Sequence, residues 1–268
     1  MEKRIGLIAG SGESPALIRA QALDQGFCCV TAAIREEADP SLEGQGGTLA
    51  WFGVSEISDI ARFFKTHGIT DAVFAGKVDP RRLYQEKKLG AALLRMLDRG
   101  RDRSAEGVIR AAMDFFARKG IRFISPEPFL AAAMCPAGLL SRTRPKAGVQ
   151  ADIEWGWERA RQLADADVGQ CIVVKDRSIV AVEGVEGTDA AIRRGGELAG
   201  RDFVAIKLVR TRQDPRIDLP AVGLNTVTSL VEAGGKALCL EAEKMPFFQR
   251  EPALVLADRH GIVVLART

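Results

Sequence analysis

The chain has 268 residues, 47% of them apolar and 27% charged, with Lys plus Arg at 38 against Asp plus Glu at 35. At a loose prior of about 150 residues per domain, this length gives one large domain or two small ones, with no need for disulfide or metal staples. The composition excludes collagen-like, disordered and disulfide-scaffold chains, and a net charge of +3 is too small to argue for a nucleic-acid partner.

Ile5 to Ala9 is a short apolar run before a glycine turn and reads as a buried parallel strand. Glu13 to Gln25 fits a helix, with Pro15 in its first turn and Gly26 just past its end. Phe27 to Ala33 is a second strand. Ser55 to Thr66 is a helix with Ser55 as its expected N-cap. Asp71 to Ala75 is a third strand, followed by Gly76-Lys77. Helices are expected over Leu83 to Asp98 and Ser104 to Arg118, and a further strand over Ile121 to Ile124. Such alternation predicts a Rossmann-like α/β domain over 1–132, a parallel sheet with helices on both faces.

Ser125-Pro126-Glu127-Pro128 then punctuates the chain. The stretch around Cys135 to Gln150 is rich in Gly, Pro, Arg and Lys, so residues 133–150 read as a linker region. A second, C-terminal catalytic α/β (or α+β) domain is expected over 151–268. It begins with a helix over Ala151 to Ala164. Gln170 to Lys175 and Ile179 to Glu183, joined by Asp176-Arg177-Ser178, predict a hairpin. Helices over Asp189 to Glu197 and Asn225 to Ala233 alternate with strands over Phe203 to Val209, Ala237 to Leu240 and Ile262 to Leu265.

The chain has only two histidines, His67 and His260. A His-built zinc site and a Ser-His-Asp triad are therefore disfavoured. The five cysteines, Cys28, Cys29, Cys135, Cys171 and Cys239, include no CxxC and read as buried thiols in a reducing compartment. The N-terminus has no signal-peptide core and no stretch is apolar enough to span a membrane, so a cytoplasmic location is expected.

Four segments carry candidate chemistry. Gly10-Ser11-Gly12-Glu13-Ser14-Pro15 follows the first strand and can cradle a phosphate at a helix N-terminus, or can be a tight strand–helix turn. The third fingerprint position is Pro15 and the following acids, Glu36 and Glu37, come late, so a dinucleotide site is poorly supported. Lys77, after the third strand, is placed either to meet a phosphate or simply on the surface. In Val182-Glu183-Gly184-Val185-Glu186-Gly187-Thr188-Asp189, the acids can hold Mg²⁺, while Thr188 or Asp189 is expected to cap the next helix. In Arg210-Thr211-Arg212-Gln213-Asp214-Pro215-Arg216-Ile217-Asp218, which follows a strand containing Lys207, cations suit a pyrophosphate and the carboxylates a metal or a water. A charged surface loop is the alternative there.

Residues 81–103 hold eight basic side chains against three acids, interleaved with Leu89, Leu93, Leu94, Met96 and Leu97. Such a face can lie on an anionic membrane or cover a lipidic ligand, or can be a solvated face whose Leu stripe packs on the core.

Taken in order, six motifs closely resemble the LpxI family, the UDP-2,3-diacylglucosamine pyrophosphatases of lipid A biosynthesis. They are Gly-Leu-Ile-Ala-Gly-Ser-Gly-Glu-Ser-Pro (6–15), Phe-Ala-Gly-Lys-Val (74–78), Ala-Asp-Ile-Glu-Trp-Gly-Trp (151–157), Asp-Val-Gly-Gln-Cys-Ile-Val-Val-Lys-Asp (167–176), the segment 181–196 and Arg-Ile-Asp-Leu-Pro-Ala-Val-Gly (216–223). The resemblance implies two domains, a homodimer, and Mg²⁺-dependent attack of water on the α-phosphorus, giving UMP and 2,3-diacylglucosamine 1-phosphate (lipid X). It implies that Asp218, in the Arg-x-Asp-x-Pro motif, is critical for turnover, as a metal ligand or by orienting water. Glu183 and Asp189 are the next metal candidates. Lys207 and Gln213 are expected on phosphate or sugar, with Gly10, Ser11, Gly12 and Lys77 on one wall of the site and Gln170 and Thr188 on the other. A lipid-linked UDP-sugar substrate also implies peripheral contact at the inner-membrane face. The chain departs from the family pattern at Arg210-Thr211, where Lys-Pro is common. An NAD(P)-dependent oxidoreductase and a non-catalytic nucleotide-sugar or lipid carrier are the competing readings.

Overall fold

The computed structural model describes residues 3–78 and 105–268. The helix expected over Leu83 to Asp98 and the basic segment 81–103 therefore lie outside the described residues. The described residues fall into two compact units, one within Met1–Ala131 together with Asp214–Asp218, the other Ala132–Gln213 with Leu219–Thr268.

In the first unit, β1 (Lys3–Ala9), β2 (Phe27–Ile34), β3 (Thr48–Phe52), β4 (Asp71–Ala75) and β5 (Arg122–Phe123) form one sheet in the order β3-β2-β1-β4-β5. Every pairing in it is parallel. Among the described residues its α-helices are α1 (Ser14–Asp24), α2 (Ile57–Thr66) and α3 (Ala105–Arg118). β1 is central, and the run from Ile5 to Ala9 is buried throughout. A strand covered on both faces has no polar side, which is why it shows no alternation. Phe64, Phe116 and Phe123 pack with Ile8, Val30 and Ala32 to form one side of this core.

Two expectations change here. β3 is an additional strand; all five of its residues are half-buried, so it lacks the continuous apolar signal of the inner strands. α2 starts one turn-position later than expected, with Glu56 and not Ser55 as N-cap. The Glu56 carboxylate accepts from the Gly53 N–H at 2.9 Å and from Arg35 at 3.2 Å, tying the approach to the helix.

The second unit is a mixed sheet in the order β6-β11-β10-β9-β7-β8. Its strands are β6 (Gly138–Leu139), β7 (Cys171–Lys175), β8 (Ser178–Val182), β9 (Val204–Lys207), β10 (Ala237–Glu241) and β11 (Val263–Arg267). β9, β10 and β11 are parallel, while β6, β7 and β8 join antiparallel. The long helix α4 (Ala147–Asp165) covers one face through Ile153 and Ala160. The other face packs against α5 (Thr188–Ala199), α6 (Leu224–Glu232) and α7 (Arg250–Arg259) through Ile192, Val227, Leu230, Ala253 and Ala257. Gly156 and Gly195 let α4 and α5 lie close on the sheet; a Cβ at Gly195 would sit 2.6 Å from Val173.

The segment expected to be a linker is part of this unit. Cys135 is fully buried and its N–H donates to Met245 O at 2.9 Å. Ser141 Oγ accepts from the Val264 N–H at 2.8 Å, β6 extends the sheet, and α4 begins at Ala147. Glycine and proline in this stretch mark turns between packed pieces, so composition alone imitates a linker. α7 carries little signal in the sequence, because only Ala253 and Ala257 of its ten residues are buried and its apolar stripe is correspondingly narrow.

The predicted hairpin is β7–β8, and its turn residues Asp176 and Arg177 have φ of 50° and 56°. Non-glycine residues resist this region. Buried Asp152, from α4, offsets the cost by accepting both turn amides, Asp176 N–H at 3.1 Å and Arg177 N–H at 2.7 Å. The aspartate of the Ala-Asp-Ile-Glu-Trp-Gly-Trp motif thus serves the fold.

Candidate active site

Ligands of open α/β sheets bind beyond the carboxyl ends of the parallel strands. In the second unit, β9 ends on Lys207, β10 on Glu241 and β11 on Arg267. Lys207 is only 7% exposed. Its ammonium donates to Thr188 Oγ1 at 2.6 Å and to the Ala221 carbonyl at 3.1 Å. Thr188 Oγ1 donates in turn to Glu183 Oε1 at 3.0 Å. A buried cation and a carboxylate are thus bridged by one hydroxyl. The second carboxylate oxygen, Glu183 Oε2, is buried and has no hydrogen-bond partner.

This arrangement overturns the expected capping role. Gly187 is the N-cap of α5 and no side chain caps it. Thr188 has its hydroxyl committed to Lys207 and Glu183, and Asp189 sits in the first turn of the helix. The third acid of the loop shapes it: Glu186 accepts from the Gly184 N–H at 3.0 Å and from Arg194 at 2.6 Å. Cys171 lies beside the cluster and is fully buried. Burial, and then the charge of Glu183, pushes its thiol well above the usual range. Burial likewise raises Cys135 to about 11 and Cys239 to about 12. These thiols stay protonated at neutral pH and are poor nucleophiles.

After Lys207 the chain is tied down almost residue by residue. Leu208 N–H donates to Gln170 O at 2.9 Å. Val209 N–H donates to Glu241 Oε2 at 2.8 Å, and its carbonyl accepts from Arg161. Arg210 reaches Asp167 at 2.6 Å and Gln213 Oε1 at 2.8 Å. Asp165 accepts from both the amide (2.7 Å) and the hydroxyl (2.9 Å) of Thr211, and the amide bond is the main reason its carboxyl lies below the usual value. Gln170 Nε2 meets Gln213 Oε1 at 3.3 Å, bringing two predicted substrate residues together. Further on, Asp214 takes a two-point contact from Arg216, at 2.9 and 2.7 Å, which holds its carboxyl below the usual value. Asp218 is exposed, and its N–H closes a turn onto Asp214 O at 3.2 Å.

The structure therefore unites Lys207, Thr188 and Glu183, and separately Gln170 and Gln213. Among the described residues, no three His, Cys, Asp or Glu side chains gather as a metal site. The sequence reading missed Glu241, Arg161, Asp165 and Asp167. One signal was available for Glu241, a single acid closing the apolar strand Ala-Leu-Cys-Leu-Glu.

In the first unit, the glycine loop after β1 is interlocked with the turn after β4. Gly10 N–H donates to Ala75 O at 2.8 Å, Ser11 N–H to Lys77 O at 2.8 Å, and Lys77 N–H to Ser11 O at 3.0 Å. Ser11 Oγ also donates to Lys77 O, at 2.9 Å. A Cβ at Gly10 would collide with the Lys77 carbonyl, and one at Gly76 (φ 81°) with the Ser11 carbonyl. These glycines serve the approach of two backbones. The Gly10 and Ser11 amides are thus taken by the carbonyls of the turn after β4. Lys77 and Gly12 remain exposed.

Comparison with known proteins agrees with this two-unit organisation. Residues 4–133 match the model of the LpxI N-terminal domain, and residues 136–265 that of the LpxI C-terminal domain. The chain belongs to the LpxI family. It is 29% identical over 274 residues to the UDP-2,3-diacylglucosamine pyrophosphatase LpxI of Caulobacter vibrioides, across 98% of this chain and 97% of that one. The six motifs fall within the two matched LpxI domains.

Proposed function

We propose that the protein hydrolyses the pyrophosphate bond of UDP-2,3-diacylglucosamine. Membership of the LpxI family along nearly the whole chain carries this reading. Water attacks the α-phosphorus, the bond from that phosphorus to the bridging oxygen breaks, and UMP and 2,3-diacylglucosamine 1-phosphate leave. Such a reaction needs charge neutralisation and an oriented water more than a covalent nucleophile. The buried Lys207 ammonium, Gln170 and Gln213 supply donors for phosphate or sugar, and Asp218 orients the water.

The Glu183 Oε2, buried without a partner, is the kind of oxygen a cation satisfies. Mg²⁺ keeps several waters and needs only one or two carboxylates besides substrate phosphates. Glu183 and Asp189 suit it, and no cluster of three ligands is required. When bound, the ion would neutralise phosphate charge. No helix among the described residues is long and apolar enough to cross a membrane. The reading includes a cytoplasmic homodimer in peripheral contact with the inner membrane, the contact being supported by the basic, leucine-bearing sequence of 81–103. The test is release of UMP from the lipid substrate. Wild-type protein should release it with Mg²⁺ and lose activity with chelator, and Asp218→Ala should bind substrate but not turn it over. Full turnover by Asp218→Ala would remove Asp218 from the mechanism, and no UMP from wild type would end the hydrolase reading.

A further inference from the structure

Val209 is the second residue past β9 and is only 7% exposed. Buried backbone groups need partners, yet at this point the sheet has ended and the chain is leaving it. Both groups are met by one ion pair. Glu241 Oε2 takes the Val209 N–H at 2.8 Å, and Arg161 donates to the Val209 carbonyl. Arg161 and Glu241 also bond each other at 2.6 Å, with side chains 28% and 13% exposed. The pair comes from two different elements, α4 and the end of β10, and grips the chain between Lys207 and Gln213. No other contact of a described residue to the Val209 backbone is needed for the grip, because the pair satisfies both its donor and its acceptor.

We propose that Arg161 and Glu241 are positioning residues for the hydrolysis. They fix where the loop 208–213 leaves β9, and so the placement of Gln213 relative to buried Lys207 within the same unit. The proposal rests on the hydrolase reading. Neither residue is assigned a contact with the substrate. A carboxylate–guanidinium pair suits the task because each planar group has one atom on its partner and another on the Val209 backbone, which sets direction as well as distance. Misplacement of a reacting group by about 1 Å can cost about 100-fold in rate.

The test compares kcat, KM and Tm for UMP release in Glu241→Gln, Glu241→Ala, Arg161→Lys and Arg161→Met. Glu241→Gln keeps an oxygen for the Val209 N–H but loses the ion pair, and Arg161→Lys keeps the charge but loses the fork; both are expected to fold if the truncations do not. The expected result is a fall in kcat of about 10- to 100-fold with KM little changed, and faster amide exchange at Val209 and Thr211. The Arg161→Met/Glu241→Ala double variant should be no slower than the worse single, because the pair acts as a unit. Asp152→Ala is the control: it loosens the same unit at the β7–β8 turn and should lower Tm while kcat holds. Unchanged kcat in the four variants, a rise in KM alone, or an equal loss of kcat in Asp152→Ala at matched Tm would overturn the proposal. Inactive wild-type protein would instead sink the hydrolase reading on which it rests.

Discussion

Thr188 offers a clean separation of shape from hydrogen bonding. Thr188→Val keeps the volume and β-branching of a side chain that is only 9% exposed, but removes the hydroxyl between Lys207 and Glu183. Two hydrogen bonds to charged groups are lost, each worth about 1.5–3 kcal/mol. Part returns if the ammonium and carboxylate shift toward each other, which leaves a net loss of about 3 kcal/mol. At about 2–4 °C per kcal/mol for a chain of this size, Tm should fall by about 6–12 °C. Thr188→Ser does the reverse: it keeps the hydroxyl and deletes one methyl, worth about 0.8 kcal/mol of burial. Thermal unfolding followed by circular dichroism, with chemical denaturation to convert Tm into free energy, measures both. Valine must come out clearly worse than serine. If the two variants are equally stable, or valine matches wild type, the hydroxyl bridge is not what holds the loop 183–187 to β9.

Asp152→Ala should cost about 2–3 kcal/mol, since it strips two turn amides of a charged acceptor; adding Arg177→Gly should return about 1 kcal/mol by easing the positive φ, and urea midpoints that do not recover would contradict this account of the turn. Gly10→Ala forces a Cβ against the Lys77 carbonyl and should destabilise the first unit by about 2 kcal/mol or more, which limited proteolysis will detect; a loss below about 0.5 kcal/mol would show that the two turns part easily. Asp165 and Asp214 both have depressed native pKa values, through the Thr211 amide and the Arg216 guanidinium respectively. Their contribution is complete above the ordinary aspartate value of about 3.9 and is lost as pH falls through each native value. Protection of the Thr211 amide should therefore persist at about pH 5 and weaken only in stronger acid; loss of protection between neutrality and that point would mean another group anchors the loop.

Legibility in the sequence followed the kind of signal each element carries. β1, β2 and β4 are buried on both faces, so their apolar runs announce them. β3, with every residue half-buried, and α7, with two buried alanines, carry weak periodicity and are not legible in the sequence. The stretch 133–150 misled in the opposite sense, because Gly and Pro mark packed turns as readily as loose connections. At the site, the loops bearing Glu183, Thr188, Lys207 and Gln213 were visible as charge and glycine following strands. Which atom meets which was not. Thr188 looked like a helix cap because its place in sequence allows that, and only the approach of Lys207 from β9 shows where its hydroxyl goes.

The sequence by itself determined the α/β class, the family, and the burial of four of the five cysteines, Cys28 being half-buried instead. These depend on local composition, period and motif order. Tertiary structure alone decided that the Gly10 and Ser11 amides are spent on the turn after β4, that Asp152 serves a hairpin, and that Arg161 and Glu241 grip Val209. In each case the partners lie more than 20 residues apart in the chain. A hydrogen bond depends on a direction and a distance of about 3 Å, and neither is written in the order of residues until the sheets have brought the strand ends together.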